Sequence, residues 1–339
     1  MRFRVFIFAA LLLLFGGLLV HRLGDIEELW ATLGHGRIEW VLLAVALQGL
    51  TLLNQPALYQ ALYALLDLPV RWRDLAPVVW AAHFVNIVTP AAGLGGTALL
   101  MREAQKRGFD MGRVTLANTL YFLFNFVWFV LLLGFSLVAL FLWHDLKPYE
   151  VAAAALPMTG VVLALGALWL VGARPQVFSR LAVSLGKRVN ALSRRVLKRE
   201  VLGEQSTVEF VATFALSAST LRTARARLWR PWLHAMLVDG LEIAVLGACF
   251  AAFPGAGREV SFAMLVAGYS IGTLFLVVSI TPQGLGVVEG VLTAIFVSFG
   301  VSLERAAVVV LVYRGLSFWL PLGVGFLASQ RVIIKKESL

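Results

Sequence analysis

Long apolar runs separated by short charged stretches set the pattern of this chain. They lie at Val5–Val20, Ile38–Leu66, Leu75–Met101, Val114–Trp143, Val151–Gly172, Trp232–Phe253, Val260–Ile280, Val287–Gly300 and Ala306–Ser329. A helix needs about 20 apolar residues to cross a bilayer, so the pattern predicts an all-α polytopic membrane protein. Val5–Val20 follows Arg2 and Arg4 in the manner of a signal peptide. It lacks a small-residue cleavage site, and a retained first helix is expected.

Two breaks interrupt this pattern. Thr89, Pro90, Gly93, Leu94, Gly95 and Gly96 split the third run, and Thr281, Pro282, Gly284, Leu285 and Gly286 part the seventh from the eighth. Each has a Thr-Pro followed by a Gly-Leu-Gly, and the two lie about 191 residues apart. Proline removes a backbone donor, and glycines lower the cost of leaving helical geometry. Irregular backbone survives at membrane depth only inside protein or along a watery cavity. Paired breaks at corresponding places point to a transporter-type site. Two proline kinks in ordinary spans are the plainer alternative.

The expected architecture is two inverted repeats with about six full spans and two re-entrant elements. Residues 1–143 form the first repeat, with its re-entrant element at 75–101. Residues 144–329 form the second, with a basic loop at 173–231 and a re-entrant element at 260–300. Residues 330–339 are a tail. One difficulty is the 21-residue run Val260–Ile280, about 31 Å as a helix and long for half a hairpin.

Composition agrees: 60% of the 339 residues are hydrophobic and only 14% charged, against about 25% charged in soluble domains. The net charge of +10 is concentrated. Between Arg174 and Arg230 there are twelve Lys or Arg against three Glu, a net of +9. A basic loop between spans is expected on the cytoplasmic side, against anionic headgroups and not nucleic acid. With Arg71, Arg73, Arg102, Lys106 and the tail on that side too, the charge favours two hairpins over a single broken third span.

Ionisable groups at membrane depth cost about 2.5–3.5 kcal/mol each and mark interiors or pathways. Here they are His83, Asp239, Glu242, Glu289 and Arg314. Glu289 and Arg314 are expected either to meet a lipid headgroup or to form a buried ion pair that locks the second hairpin to the last span. The half-helix starting near Gly286 would aim free N–H groups at an anion, with Arg102 a further contact. His83, Asp239 and Glu242 are candidates for coupling, with structural burial the competing reading. Gln48, Thr51 and Gln55 form one polar stripe, and Asn118, Tyr121, Asn125 and Trp128 another; together they imply a polar interior suited to a headgroup path, with plain interhelical hydrogen bonding as the alternative for the Asn stripe. Gly286, Gly290, Ala294 and Ser298 suggest a close-packing face.

No phosphate-binding loop, nucleophile elbow or metal-ligand spacing occurs, and the lone Cys249 has no partner for a disulfide. The expected protein is therefore not an enzyme and has no catalytic residues, cofactor or metal.

The block Ile280, Thr281, Pro282, Gln283, Gly284, Leu285, Gly286 through Glu289 and Gly290, followed by Tyr313, Arg314 and Pro321, resembles the lysylphosphatidylglycerol synthase transmembrane-region, or flippase-like, family. Thr89, Pro90, Gly95, Gly96, Arg102 and Gly108 are similar to its first block. The resemblance implies site residues at Pro282, Gly284, Gly286, Glu289, Gly290, Tyr313, Arg314 and Pro321. It further implies a stand-alone lipid translocase without the synthase domain, in the bacterial cytoplasmic membrane. Expected partners are an anionic or zwitterionic phospholipid or polyprenyl-linked lipid, a glycosyltransferase or lipid synthase, and further copies of the chain. A non-transporting subunit anchoring a lipid-modifying glycosyltransferase is the alternative, and an embedded lipid-transfer enzyme is a third reading.

Overall fold

The computed structural model describes residues 36–88, 94–143, 148–174, 224–255, 257–279 and 282–334, with isolated positions between 176 and 221. The first apolar run, Thr89, Pro90, Thr281, most of the basic loop and the end of the tail lie outside the described residues. Among those described, every extended element is helical. The helices are α1 (Ile38–Leu65), α2 (Trp72–Val88), α3 (Leu94–Lys106), α4 (Met111–Trp143), α5 (Pro148–Ala173), α6 (Trp229–Ala252), α7 (Phe262–Val278), α8 (Val287–Ser298) and α9 (Leu303–Arg314). A π-helical turn, Gly315–Trp319, carries α9 straight into α10 (Leu320–Ile334).

Among the described residues, four helices are long and apolar enough to cross a membrane: Ile38–Leu65, Met111–Phe141, Trp229–Ala252 and Leu303–Val332. Their surfaces are arranged for lipid. In α1, Gln48 and Thr51 are each 1% exposed while Leu50 between them is 51% exposed. Soluble proteins place such residues the other way round.

The chain packs as two compact units, each assembled from three stretches of sequence. The first holds Met1–Leu50, Leu132–Leu146 and Leu241–Leu320, and the second holds Thr51–Leu131, Lys147–Gly240 and Pro321–Leu339. Each contains one of the broken elements.

In the second unit α2 and α3 fold back on one another as an antiparallel hairpin. Arg107, just past α3, donates to the carbonyl of Asp74 near the start of α2, and Gly96 at the start of α3 donates to Asn86 near the end of α2. Leu58, Leu62, Leu116 and Leu120 fill the core beneath. Pro56 lies inside α1 and cannot supply the N–H that the Leu52 carbonyl would receive. The indole of Trp80 donates to that carbonyl at 2.9 Å, and the indole of Trp72 donates to Leu53 at 3.3 Å. Trp80 thereby fills the proline gap, and both tryptophans fasten the hairpin to α1.

In the first unit α7 and α8 form the second antiparallel hairpin. Gly268 lies against the ring of Phe296 and Gly272 against Leu292, while Phe296, Leu246 and Val308 are buried in the core. The incoming arm has 17 residues, about 25 Å of helix, which is shorter than the apolar run predicts because Ser261 caps it through its hydroxyl and the chain leaves helical geometry at Ser279. Both hairpins thus pair a 17-residue arm with a shorter one of 13 or 12 residues.

Candidate functional site

The second break is built on left-handed backbone. Gln283 has φ 52°, Gly284 φ 66° and Gly286 φ 82°; glycine occupies that region freely, whereas glutamine is strained there. α8 then starts with N–H groups that have no partner inside the helix. Glu289, three residues on, turns its carboxylate back and accepts from the Gly286 N–H at 2.8 Å. The other oxygen accepts from Nε of Arg314 at 2.7 Å, and both side chains are about 10% exposed. A second guanidinium nitrogen donates to the Gln283 carbonyl at 3.0 Å. Arg314 also stacks 5.1 Å from the centre of the Phe318 ring. A single arginine from α9 thus holds the break on both sides.

Glu289 and Arg314 pair with each other, as the locking alternative anticipated. The helix start is not an open anion site, because Glu289 already occupies it: its three-residue spacing from Gly286 is the reach of a capping carboxylate.

The neighbouring residue on α9 reaches a second acid. Tyr313 is buried and its hydroxyl donates to Glu242 of α6 at 3.1 Å, while the Gln48 amide donates to the other Glu242 oxygen at 3.1 Å. Gln48, Glu242 and Tyr313 form one hydrogen-bonded group and Gln283, Glu289 and Arg314 another, the two adjoining at neighbouring residues of α9; together they are the polar seam of the first unit. The helix turns π-helical directly after Arg314, a geometry frequent at functional sites. Nothing in the sequence flagged it.

The first break lies in the second unit and uses neutral chemistry. The Asn86 side-chain oxygen accepts from the Gly96 N–H at 2.6 Å, which caps the start of α3 from the opposite arm. Gly96 also packs directly on the carbonyl of Ala82. Helix α3 begins at Leu94, so Gly95 and Gly96 form its first turn and are not part of the break. His83 is half-buried on α2, and Arg102 is exposed on α3. Thr89 lies outside the described residues.

Other sequence candidates are sorted by their surroundings. Asp239 is buried in the second unit, three residues before Glu242 on α6. Asn118 and Asn125 donate to Val114 and Tyr121, four residues back on their own helix; their amides find local carbonyls before distant ones. Trp128 does reach another helix, donating to Trp232, and Tyr121 stacks on Tyr59 at 4.3 Å. Gly290, Ala294 and Ser298 are exposed, and the close-packed glycines are Gly268 and Gly272 on the facing arm. Periodicity identifies a face without saying whether it is covered.

Two polar contacts escaped the sequence reading. Arg305 is buried and donates to the carbonyls of Phe253 and Phe250 at 2.8 and 3.4 Å, closing the carboxyl end of α6. Asn54 and His234 clasp each other across 180 residues, with the amide donating to the His234 carbonyl at 2.8 Å and the ring Nδ1 2.6 Å from the amide oxygen. Among the described residues no group of three His, Cys, Asp or Glu side chains is placed to hold a metal ion.

The family model for the lysylphosphatidylglycerol synthase TM region matches residues 3–325 of the chain. Two UPF0104 membrane proteins of Methanothermobacter thermautotrophicus are similar to it. One is 24% identical over 281 residues, which cover 77% of this chain and 78% of that protein; the other is 23% identical over 296 residues, covering 85% and 84%. A UPF0104 membrane protein of Pyrococcus horikoshii is 25% identical over 150 residues, 43% of this chain and 42% of its own length. The chain belongs to the lysylphosphatidylglycerol synthase TM region family and is a multi-pass membrane protein.

Proposed function

We propose that this member of the lysylphosphatidylglycerol synthase TM region family moves a phosphate-bearing lipid between the leaflets of the cytoplasmic membrane, without chemical change to the lipid. The observation that carries the reading is the polar seam. Two carboxylates, an arginine and a tyrosine hydroxyl gathered among apolar helices are costly in lipid and mark pathways more often than scaffolds. In this reading the headgroup travels along the seam while the acyl chains stay in the bilayer. Arg314 is its anion contact, and Glu289 holds the arginine and the α8 start until a headgroup phosphate replaces it. Glu242, with Tyr313 and Gln48, lines the adjoining stretch. The two hairpins are the re-entrant elements of inverted repeats, and the basic loop faces the cytoplasm.

The test is exchange of headgroup-labelled phospholipid in proteoliposomes. The wild type is expected to exceed empty vesicles, and Tyr313→Phe is expected to fold normally and lose about tenfold in rate, the scale of one charge-assisted hydrogen bond. Exchange at the level of empty vesicles across phospholipids and polyprenyl phosphates, with and without a proton gradient, would sink the reading in favour of a non-transporting subunit.

A further inference from the structure

A cleft of about 750 Å³ opens in the second unit, between the end of α1, the turn after it and the start of α6. Ligand sites commonly have volumes of about 300–1,000 Å³. Its walls differ in chemistry. Ala57, Ala61 and Ala64 line one side, four and three residues apart and so on one face of a helix. Arg227, Arg230 and His234 line the other. The His234 ring is held in place by Asn54, which both donates to its carbonyl and faces its Nδ1. Arg230 has no carboxylate partner among the described residues, and its guanidinium lies 5.6 Å from the Trp229 ring centre.

Asp67 also lines the cleft. Three helix ends share one closing pattern, in which the second residue past the last helical one turns left-handed. After α3 that residue is Gly108 with φ 71°, and after α8 it is Gly300 with φ 91°. After α1 it is Asp67, with φ 55°, and the Leu68 N–H completes the pattern by donating to the Tyr63 carbonyl at 2.9 Å. The chain therefore puts a strained carboxylate where glycine fits without cost. That carboxylate lies 3.7 Å from Arg227, in an ion pair whose side chains are 64% and 74% exposed. An exposed pair of this kind is weak and easily displaced.

We infer that this cleft is a docking site for the phosphate of an amphiphilic phosphate ester, with Arg227 and Arg230 as its ligands and Asp67 as a resident competitor. Guanidinium groups match phosphate oxygens in pairs, and the alanine wall accepts the apolar part of the molecule. The inference rests on the translocation reading for its physiological role, in which the cleft captures a lipid headgroup.

The test is equilibrium binding to the full chain in detergent, with dihexanoyl phosphatidylglycerol as probe. Dihexanoylglycerol, which lacks phosphate, and inorganic phosphate are the comparison probes. Binding of the phosphatidylglycerol is expected to weaken at least about tenfold in Arg227→Ala/Arg230→Ala, a loss of about 1.4 kcal/mol. Asp67→Gly is expected to tighten it by up to about fivefold, the worth of an exposed ion pair, and to raise the melting temperature. Inorganic phosphate that competes only at far higher concentration identifies the lipid as the source of the phosphate, and equal competition identifies the free ion. Unchanged affinity in a double variant that melts like the wild type would overturn the site, as would equally tight binding of dihexanoylglycerol. Should the double variant not fold, failure of Asp67→Gly to tighten binding would overturn it on its own. Binding needs no flux, so the two proposals fail separately. A protein that binds but does not exchange lipid contradicts the translocase reading, and one that exchanges lipid with binding unaltered by the arginine changes contradicts only the cleft.

Discussion

The two hairpins meet one physical problem in different ways. Each has a helix that starts at a break, with N–H groups that have no acceptor inside the helix. The first hairpin uses a neutral acceptor from its own incoming arm, Asn86 to Gly96. The second uses a carboxylate from its outgoing arm, Glu289 to Gly286. A buried carboxylate requires a cation, and Arg314 of α9 supplies it. A neutral cap completes itself inside the hairpin, whereas a charged cap ties the hairpin to another helix. That coupling gives the second break a partner it can lose, and the proposed gate depends on it.

The largest effect that separates the hairpins is expected from the ion pair. Glu289→Ala or Arg314→Ala leaves its partner charged and buried, at a cost of about 3–5 kcal/mol, measurable as a loss of folded protein on denaturation in micelles. Glu289→Leu/Arg314→Leu removes both charges and is expected to recover most of that loss. If the double variant were no more stable than either single one, the pair would not be a closed unit.

Next come the glycines at which the arms meet. A methyl group at Gly96 runs into the backbone carbonyl of Ala82, while at Gly272 it meets the flexible end of Leu292 at 2.8 Å. Gly96→Ala is therefore expected to cost about 1–3 kcal/mol, and Gly272→Ala under about 1 kcal/mol. Equal costs would mean that the two hairpins are packed alike. The smallest effect is expected from the neutral cap. Asn86→Ala removes one hydrogen bond, worth about 1 kcal/mol, and should leave the melting of the second hairpin unchanged when hydrogen exchange reads each hairpin apart.

The helical class, the two breaks and the main apolar runs were legible in the sequence because each is a local signal: run length, a Thr-Pro, closely spaced glycines. The Glu289 cap was half legible, since a carboxylate three residues past a helix start is also local. Its link to Arg314 was visible only as one of two alternatives. The link from Gln48 to Glu242 spans 194 residues, and no local pattern encodes which helices become neighbours or in what register. The same limit explains the Asn118 and Asn125 amides, whose spacing allowed an interhelical partner although their own carbonyls were nearer. Asp67 was missed because left-handed backbone at an aspartate leaves no composition signal.

The central claim is that the polar seam serves lipid movement and does more than hold the second hairpin in place. Leaflet exchange by Glu289→Leu/Arg314→Leu, reconstituted after its melting has been matched to wild type, tests this most directly. The account predicts a folded protein whose exchange falls to the level of empty vesicles, because the anion contact and its gate are gone together. Exchange at the wild-type rate would contradict it and leave the ion pair with a purely structural role.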